Sequence, residues 1–190
     1  ESLKILKETN ALLEGHFILS SGLHSNQYVQ CAKLLSYPKQ AETICSSLTK
    51  KIKKNYNKID IVLSPAIGGI VVGYEVGRQL NVQTIFAERF EDKFVLRRGF
   101  SISKDSNVLI VEDVITTGKS AIECSELLKK YQANMIGYAC IIDRSDNKVL
   151  IKEKIISQIK FKIETFEKNN LPVDLKKISP VKPGSSKFSK

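Results

Sequence analysis

The chain has 190 residues but no tryptophan, one methionine, two histidines and four cysteines. These scarcities exclude several chemistries at once. Cys31, Cys45, Cys124 and Cys140 show no CxxC spacing, and His16 and His24 alone cannot complete a zinc set at normal ligand spacing. The cysteines therefore read as reduced core residues of a cytoplasmic protein, and no protein-held metal is expected. The longest apolar runs, such as "IVL" and "VLIV", fall far short of the roughly 20 residues that cross a bilayer. The first segment, "ESLKILKETNALLEGHF", has neither a long apolar core nor a small-residue cleavage site, so no signal peptide is expected. Internal repeats and low-complexity linkers are also lacking.

What is present describes an ordinary soluble globular chain, 42% hydrophobic and 26% charged, large enough for one sizeable core. The net charge is +10. It is concentrated late, since residues 148–190 hold 11 Lys against 4 acids. Those lysines are spread out and lack interleaved aromatic platforms, so a solvated surface is expected rather than a nucleic-acid interface. A polyanionic small substrate would also gain from the positive field.

Periodicity predicts a first helix over "ESLKILKETNALLEG", stopped by Gly15, then strand-like pieces around the Ser-Ser-Gly turn of "HFILSSGLHSNQYVQC". Pro38 opens a helix through about Lys54. An alternation follows: strand "IDIVLS", helix "GGIVVGYEVGRQL", strand "VQTIFAE", a short hairpin arm "KFVLRRGF", strand "NVLIVED", helix "GKSAIECSELLKKYQ" and strand "MIGYACIID". Apolar runs without polar alternation suit parallel strands buried on both faces. The expected fold is α/β, a doubly wound and mainly parallel sheet flanked by helices. In such sheets ligands sit beyond the carboxyl ends of the strands. Three polar clusters fall there, "SPAIGG", "EDVITTGKS" and "DRS".

The second cluster is the most informative. Its "GKS" is not a Walker A loop, because the first glycine of G-x-x-x-x-G-K-[ST] would fall on Asp113. What remains is a strand ending in Glu112 and Asp113, then a turn of Thr116, Thr117, Gly118, Lys119 and Ser120 entering a helix. Free backbone N–H groups at that helix start suit a phosphate monoester. The two acids can accept hydrogen bonds from vicinal ribose hydroxyls. An acidic strand end followed by an ordinary helix cap is the blander alternative. Gly68 and Gly69 open another helix whose N–H groups could face pyrophosphate, or they form a plain tight turn.

"VLIVEDVITTGKS" resembles the signature with which type I phosphoribosyltransferases bind phosphoribosyl pyrophosphate. "LLEGHFILSSGLHSNQYVQC" is similar to the amino-terminal hood of the orotate-using branch, and "FAERFEDKFVLRRGF" to the mobile catalytic loop of one bacterial group. "IIDRS" and "LPVDLKKISPVKPGS" also fit, so the resemblance spans nearly the whole chain. It implies a small hood made of residues 1–36 plus the C-terminal segment, over a core of about 37–145, in one phosphoribosyltransferase domain. It implies transfer of the phosphoribosyl group to orotate, giving orotidine 5'-monophosphate and pyrophosphate in de novo pyrimidine synthesis. Mg2+ would come mainly on the pyrophosphate.

The resemblance also implies roles. Glu112 and Asp113 would hold the ribose hydroxyls. Val114, Ile115, Thr116, Thr117, Gly118, Lys119 and Ser120 would bind the phosphoribosyl phosphate, with Gly68 and Gly69 on the pyrophosphate side. Arg89 and Lys93 would meet the leaving group from the loop. Orotate would contact Arg144, Thr116 and Tyr28. A homodimer would share the loop across subunits, with no nucleic-acid or membrane partner. The chain departs from the common pattern at four places. Phe90 stands at the loop's first lysine, no histidine lies in the loop, Ser20 stands before Ser-Gly, and Ser186 replaces an arginine after "KPGS". Arg97 and Arg98 are candidates to replace the missing loop charge. Within the fold the rival is a purine phosphoribosyltransferase, disfavoured by the hood and by Arg144, whose guanidinium suits a carboxylate-bearing base. Outside it, the rival is a non-catalytic regulator that binds phosphoribosyl pyrophosphate and nucleic acid.

Overall fold

The computed structural model describes residues 1–19, 21–145 and 149–183. Ser20, Asp146 and Ser186 lie outside the described residues. Helix α1 (Ser2–Glu8) and the hairpin β1 (Leu12–Ile18)–β2 (His24–Val29) come first, then α2 (Cys31–Leu35) and α3 (Pro38–Asn55). The alternating part runs β3 (Ile61–Pro65), α4 (Gly68–Leu80), β4 (Gln83–Phe90), β5 (Lys93–Val95), β6 (Asn107–Ile115), α5 (Lys119–Lys129) and β7 (Asn134–Asp143). Strand β8 (Ile155–Lys160) and the short α6 (Val173–Lys176) complete it.

The first helix is shorter than the periodicity predicts. It ends at Glu8, and Leu12–Ile18 is a strand that carries Gly15. The reason is local. Asn10 takes a left-handed φ of 53°, while Ala11 N–H donates to the Leu6 carbonyl and Asn10 N–H to that of Lys7. Those two bonds close the helix as a glycine would, and Leu12 and Leu13 are left to pair with Val29 and Tyr28 of β2.

Six strands form the main sheet in the order β5-β4-β3-β6-β7-β8. Pairings β4·β3, β3·β6, β6·β7 and β7·β8 are parallel, and only the edge strand β5 is antiparallel. The strands are apolar on both faces, as their sequences predict. Val62, Leu109, Val111, Ala139 and Ile141 pack towards α3 and α4. Leu63, Val108, Ile110, Tyr138 and Cys140 pack towards α5. Helix α3 answers with Ala41, Ile44, Cys45, Leu48 and Ile52 on one stripe. Each fully buried side chain of this kind stabilises the fold by at most about 2–3 kcal/mol.

Chain order fixes where a ligand can sit. From β3 the chain crosses to β4 on one side, then returns past β3 to place β6 on the other. The carboxyl ends of β3 and β6 therefore flank a switch point, where the two connections leave in opposite directions and open a crevice. The starts of α4 and α5 lie at its mouth. Above it stands the β1–β2 hairpin, clasped by the C-terminal segment. Phe17 bridges Val181, and His24 bridges Phe166. His16 and His24, both buried, join this clasp: one His16 nitrogen lies 2.7 Å from the Ile178 carbonyl and the other 2.6 Å from His24 Nδ1.

Candidate active site

A cleft of about 1750 Å³ opens between the hood and the ends of β6 and β7. Among its lining residues are Tyr28, Asp113, Thr116, Thr117, Lys119 and Arg144. Strand β6 brings Asp113 to the crevice, and the turn that follows brings the hydroxyl residues and Lys119. Gly118 makes that turn possible. Its φ is +78°, and a side chain there would strike Ile151 at 2.7 Å, so only glycine fits both the conformation and the packing. The turn then starts α5, an 11-residue helix with its first N–H groups free of helical partners.

Glycine also decides the other mouth of the crevice. A side chain at Gly68 would meet both Asp113 carboxylate oxygens, at 2.9 and 3.0 Å. Gly68 therefore lets the start of α4 close on the acid. Gly69 serves another purpose: it is buried, and a side chain there would press on Ser64, Pro65 and the Val111 carbonyl. Its place is helix-to-strand packing, whereas Gly68 borders the site.

The acid pair is strongly perturbed. Burial, and secondarily the charge of Asp113, push Glu112 up to about 8. Burial also raises Asp113, opposed by backbone N–H groups, one of them Val114 N–H at 2.9 Å from Oδ1. A raised acid is favoured in its protonated form by the fold. Ligand-free stability should therefore decline as pH rises from the usual carboxylate range through about 8, because the unfolded chain ionises Glu112 earlier. Glu112→Gln should flatten that decline, as measured by urea unfolding between pH 5 and 9. An unchanged slope would show that Glu112 is not the buried acid responsible.

Arg144, the residue after β7, shares the cleft with Asp113. Its N–H donates to the Ile115 carbonyl at 2.8 Å, which fixes the backbone. The side chain is half-buried and burial pulls its pKa below the ordinary value. Its Nε is buried with no hydrogen-bond partner among the described residues. Asp143, the acid next to it in sequence, forms no ion pair with Arg144. Asp143 accepts from Ser145 N–H at 2.8 Å and faces Lys160 at 3.9 Å. Tyr28 feels the charges of both Arg144 and Asp113, and burial raises its own pKa. Its hydroxyl donates to Gln30 Oε1 at 3.1 Å.

Of the residues expected to act together, the cleft gathers Tyr28, Asp113, Val114, Thr116, Thr117, Lys119 and Arg144. Glu112, Ile115, Gly118, Ser120, Gly68 and Gly69 are not among its walls, and neither are Arg89 and Lys93. The latter two ride the β4–β5 hairpin at the sheet edge, beyond β3. Arg89 donates to Glu123 Oε2 and to the Asp92 carbonyl, at 2.6 and 2.8 Å. Sequence reasoning missed Glu123, which also lies 3.9 Å from Lys119. An acid one helical turn beyond a phosphate turn was the available signal. It also missed the stretch around Lys160–Phe166 as a cleft wall, which no local motif marks. Among the described residues no three His, Cys, Asp or Glu side chains form a metal cage. Of the two acids only Asp113 lines the cleft, and a single carboxylate can still serve Mg2+, which keeps waters and phosphate oxygens and needs few protein ligands.

Comparison with known proteins agrees with this geometry. A family model described as the phosphoribosyl transferase domain matches residues 35–177. An orotate phosphoribosyltransferase of Caldicellulosiruptor bescii is 48% identical over 97% of this chain and 96% of its own. One from Thermoanaerobacter sp. is 45% identical over 99% and 98%. Among solved structures, orotate phosphoribosyltransferase from Aeropyrum pernix shares the fold with a TM-score of 0.69 at 22% identity, covering 84% of this chain and 93% of that one. Adenine phosphoribosyltransferase from Thermoanaerobacter pseudethanolicus shares it at 0.60 and 19%, covering 71% and 88%. The fold alone thus leaves the base open, and the full-length relatives bear on it.

Proposed function

We propose, for a chain that belongs to the phosphoribosyltransferase family and is nearly half identical to its orotate phosphoribosyltransferases, that it transfers the phosphoribosyl group of phosphoribosyl pyrophosphate to orotate. The products are orotidine 5'-monophosphate and pyrophosphate, a step of pyrimidine nucleotide synthesis. The observation that carries the base assignment is Arg144. A half-buried guanidinium whose Nε has no hydrogen-bond partner among the described residues is costly unless a ligand completes it. A flat anionic ring bearing a carboxylate does so through charge-assisted bonds.

The residues then divide the work. The turn from Thr116 to Ser120 holds the 5-phosphate, with Val114 and Ile115 setting its height. Glu112 and Asp113 accept from the ribose hydroxyls. As the bond from C1 to the pyrophosphate breaks, positive charge grows on the ribose and the two acids stabilise it. A ring nitrogen of orotate takes the vacated bond and gives up its proton to the departing pyrophosphate. Because these charges are in place before the bond breaks, they cost no reorganisation at that moment. Burial raises the Glu112 pKa to about 8, and the ligand's hydroxyls and any nearby cation would promote its ionisation. Magnesium bound to the pyrophosphate oxygens supplies charge neutralisation there. Gly68 allows the α4 start to approach the same group.

The placement of Arg89 and Lys93 away from the cleft walls supports a loop that serves a neighbouring subunit's site, hence a homodimer. The hood of residues 1–36 with the C-terminal segment, over a core of 37–145, forms one catalytic domain in this reading. The chain has no described helix long and apolar enough to cross a membrane, and a cytoplasmic location fits its four free, buried cysteines. The test is base selection. With magnesium and phosphoribosyl pyrophosphate, the protein is expected to release pyrophosphate when orotate is added. Release with adenine or hypoxanthine, and none with orotate, would refute the assignment.

A further inference from the structure

The β4–β5 hairpin and the segment after it carry four cations, and the structure sorts them into two kinds. Arg98 clamps Glu88 through two bonds of 2.9 and 2.8 Å. Arg89 is held by Glu123 and the Asp92 carbonyl, with Phe94 against its face at 4.4 Å. Lys93 and Arg97 form no ion pair among the described residues. The guanidinium of Arg97 lies instead over the ring of Phe90, 5.5 Å from its centre. Phe90 is 51% exposed and sits directly across the hairpin from Lys93. The intervening turn residues, Glu91 and Asp92, both take positive φ, which suits the tight two-residue turn that aligns this pair.

An exposed phenylalanine between two unneutralised cations has a physical use. A ring attracts and orients a guanidinium without cancelling its charge, whereas a carboxylate cancels it. The field of Glu88 reaches Arg97, yet its oxygens are committed to Arg98. We propose that Arg97, carried on the Phe90 ring, joins Lys93 as the pair of loop cations that meets the departing pyrophosphate, while Arg98 braces the hairpin. Arg97 is thus a catalytic residue, and Phe90, in the place of a charged side chain, is its positioning residue. The inference rests on the phosphoribosyltransferase reading above.

The test compares Arg97→Ala, Arg97→Lys, Phe90→Ala and Arg98→Ala by steady-state kinetics and thermal unfolding. Arg97→Ala is expected to lower kcat/KM for phosphoribosyl pyrophosphate by about 10- to 100-fold, the effect of one charge-assisted contact. Its KM for orotate and its unfolding midpoint should stay near the parent's. Lysine should recover part of the loss, and Phe90→Ala should lose less in the same direction. Arg98→Ala should lower the midpoint more than the turnover. A parental kcat/KM in Arg97→Ala, or the larger kinetic loss in Arg98→Ala, would overturn the assignment. If the parent protein does not turn over orotate, the functional reading fails separately. Calorimetric titration with magnesium pyrophosphate then still decides, since Arg97→Ala must bind it more weakly.

Discussion

Asp113→Asn is expected to fold normally and to turn over at least about 10²-fold more slowly, on the scale of removing one pre-organised electrostatic contact. The argument starts from where the acid sits. Strand β6 is buried up to Val111 and emerges at Glu112 and Asp113, so the pair stands at the switch point. Gly68 leaves no side chain between α4 and the carboxylate. Val114 N–H donates to Oδ1 at 2.9 Å, and asparagine can keep that bond through its own oxygen. The shape therefore survives the change while the negative charge proposed to face the ribose is lost. Because burial already raises Asp113, neutralising it should cost no stability in the ligand-free protein. The check pairs kcat for pyrophosphate release with circular dichroism of the variant. Near-parental turnover by a folded Asp113→Asn protein would remove the acid from the mechanism.

The parts of this site that could be read from sequence are those that are contiguous in it. "VLIVEDVITTGKS" places a strand, two acids and a hydroxyl-rich turn within 13 residues, and the structure keeps that order at β6 and the α5 start. The strand–helix alternation was legible for the same reason, since apolar runs on both faces of β3, β6 and β7 have a single burial solution. The first helix was overextended because Leu12 and Leu13 continue an apolar pattern whose break depends on the conformation of one residue, Asn10. Strand β8 was not read. "IISQIK" is short, lies among lysines, and becomes a strand through its parallel pairing with β7. The hood clasp was likewise hidden, since His16 and Ile178 are 162 residues apart. His16 and His24 could be weighed only as metal ligands, and the structure uses them to tie the hairpin to the C-terminal segment. Nor could spacing show that Glu123 holds Arg89, because that contact needs α5 laid against the hairpin.

Arg144→Ala carries the second large effect. The side chain follows the end of β7 in a cleft walled also by Tyr28, Asp113 and Thr116, and its Nε has no hydrogen-bond partner among the described residues. A desolvated charge-assisted contact contributes ~1.5–3 kcal/mol, or roughly a tenfold to hundredfold change in affinity. Loss of the guanidinium should therefore raise the KM for orotate by about that factor. Lysine should restore only part, since it lacks the planar fork. The phosphate and ribose contacts proposed above lie on the β6 turn, so the KM for phosphoribosyl pyrophosphate should change little. This pair of Michaelis constants, measured on one variant, tests most directly the claim that the two strand ends read the two halves of one nucleotide. The account predicts a large rise for orotate beside a small one for phosphoribosyl pyrophosphate. Equal weakening of both substrates, or of neither, would contradict it.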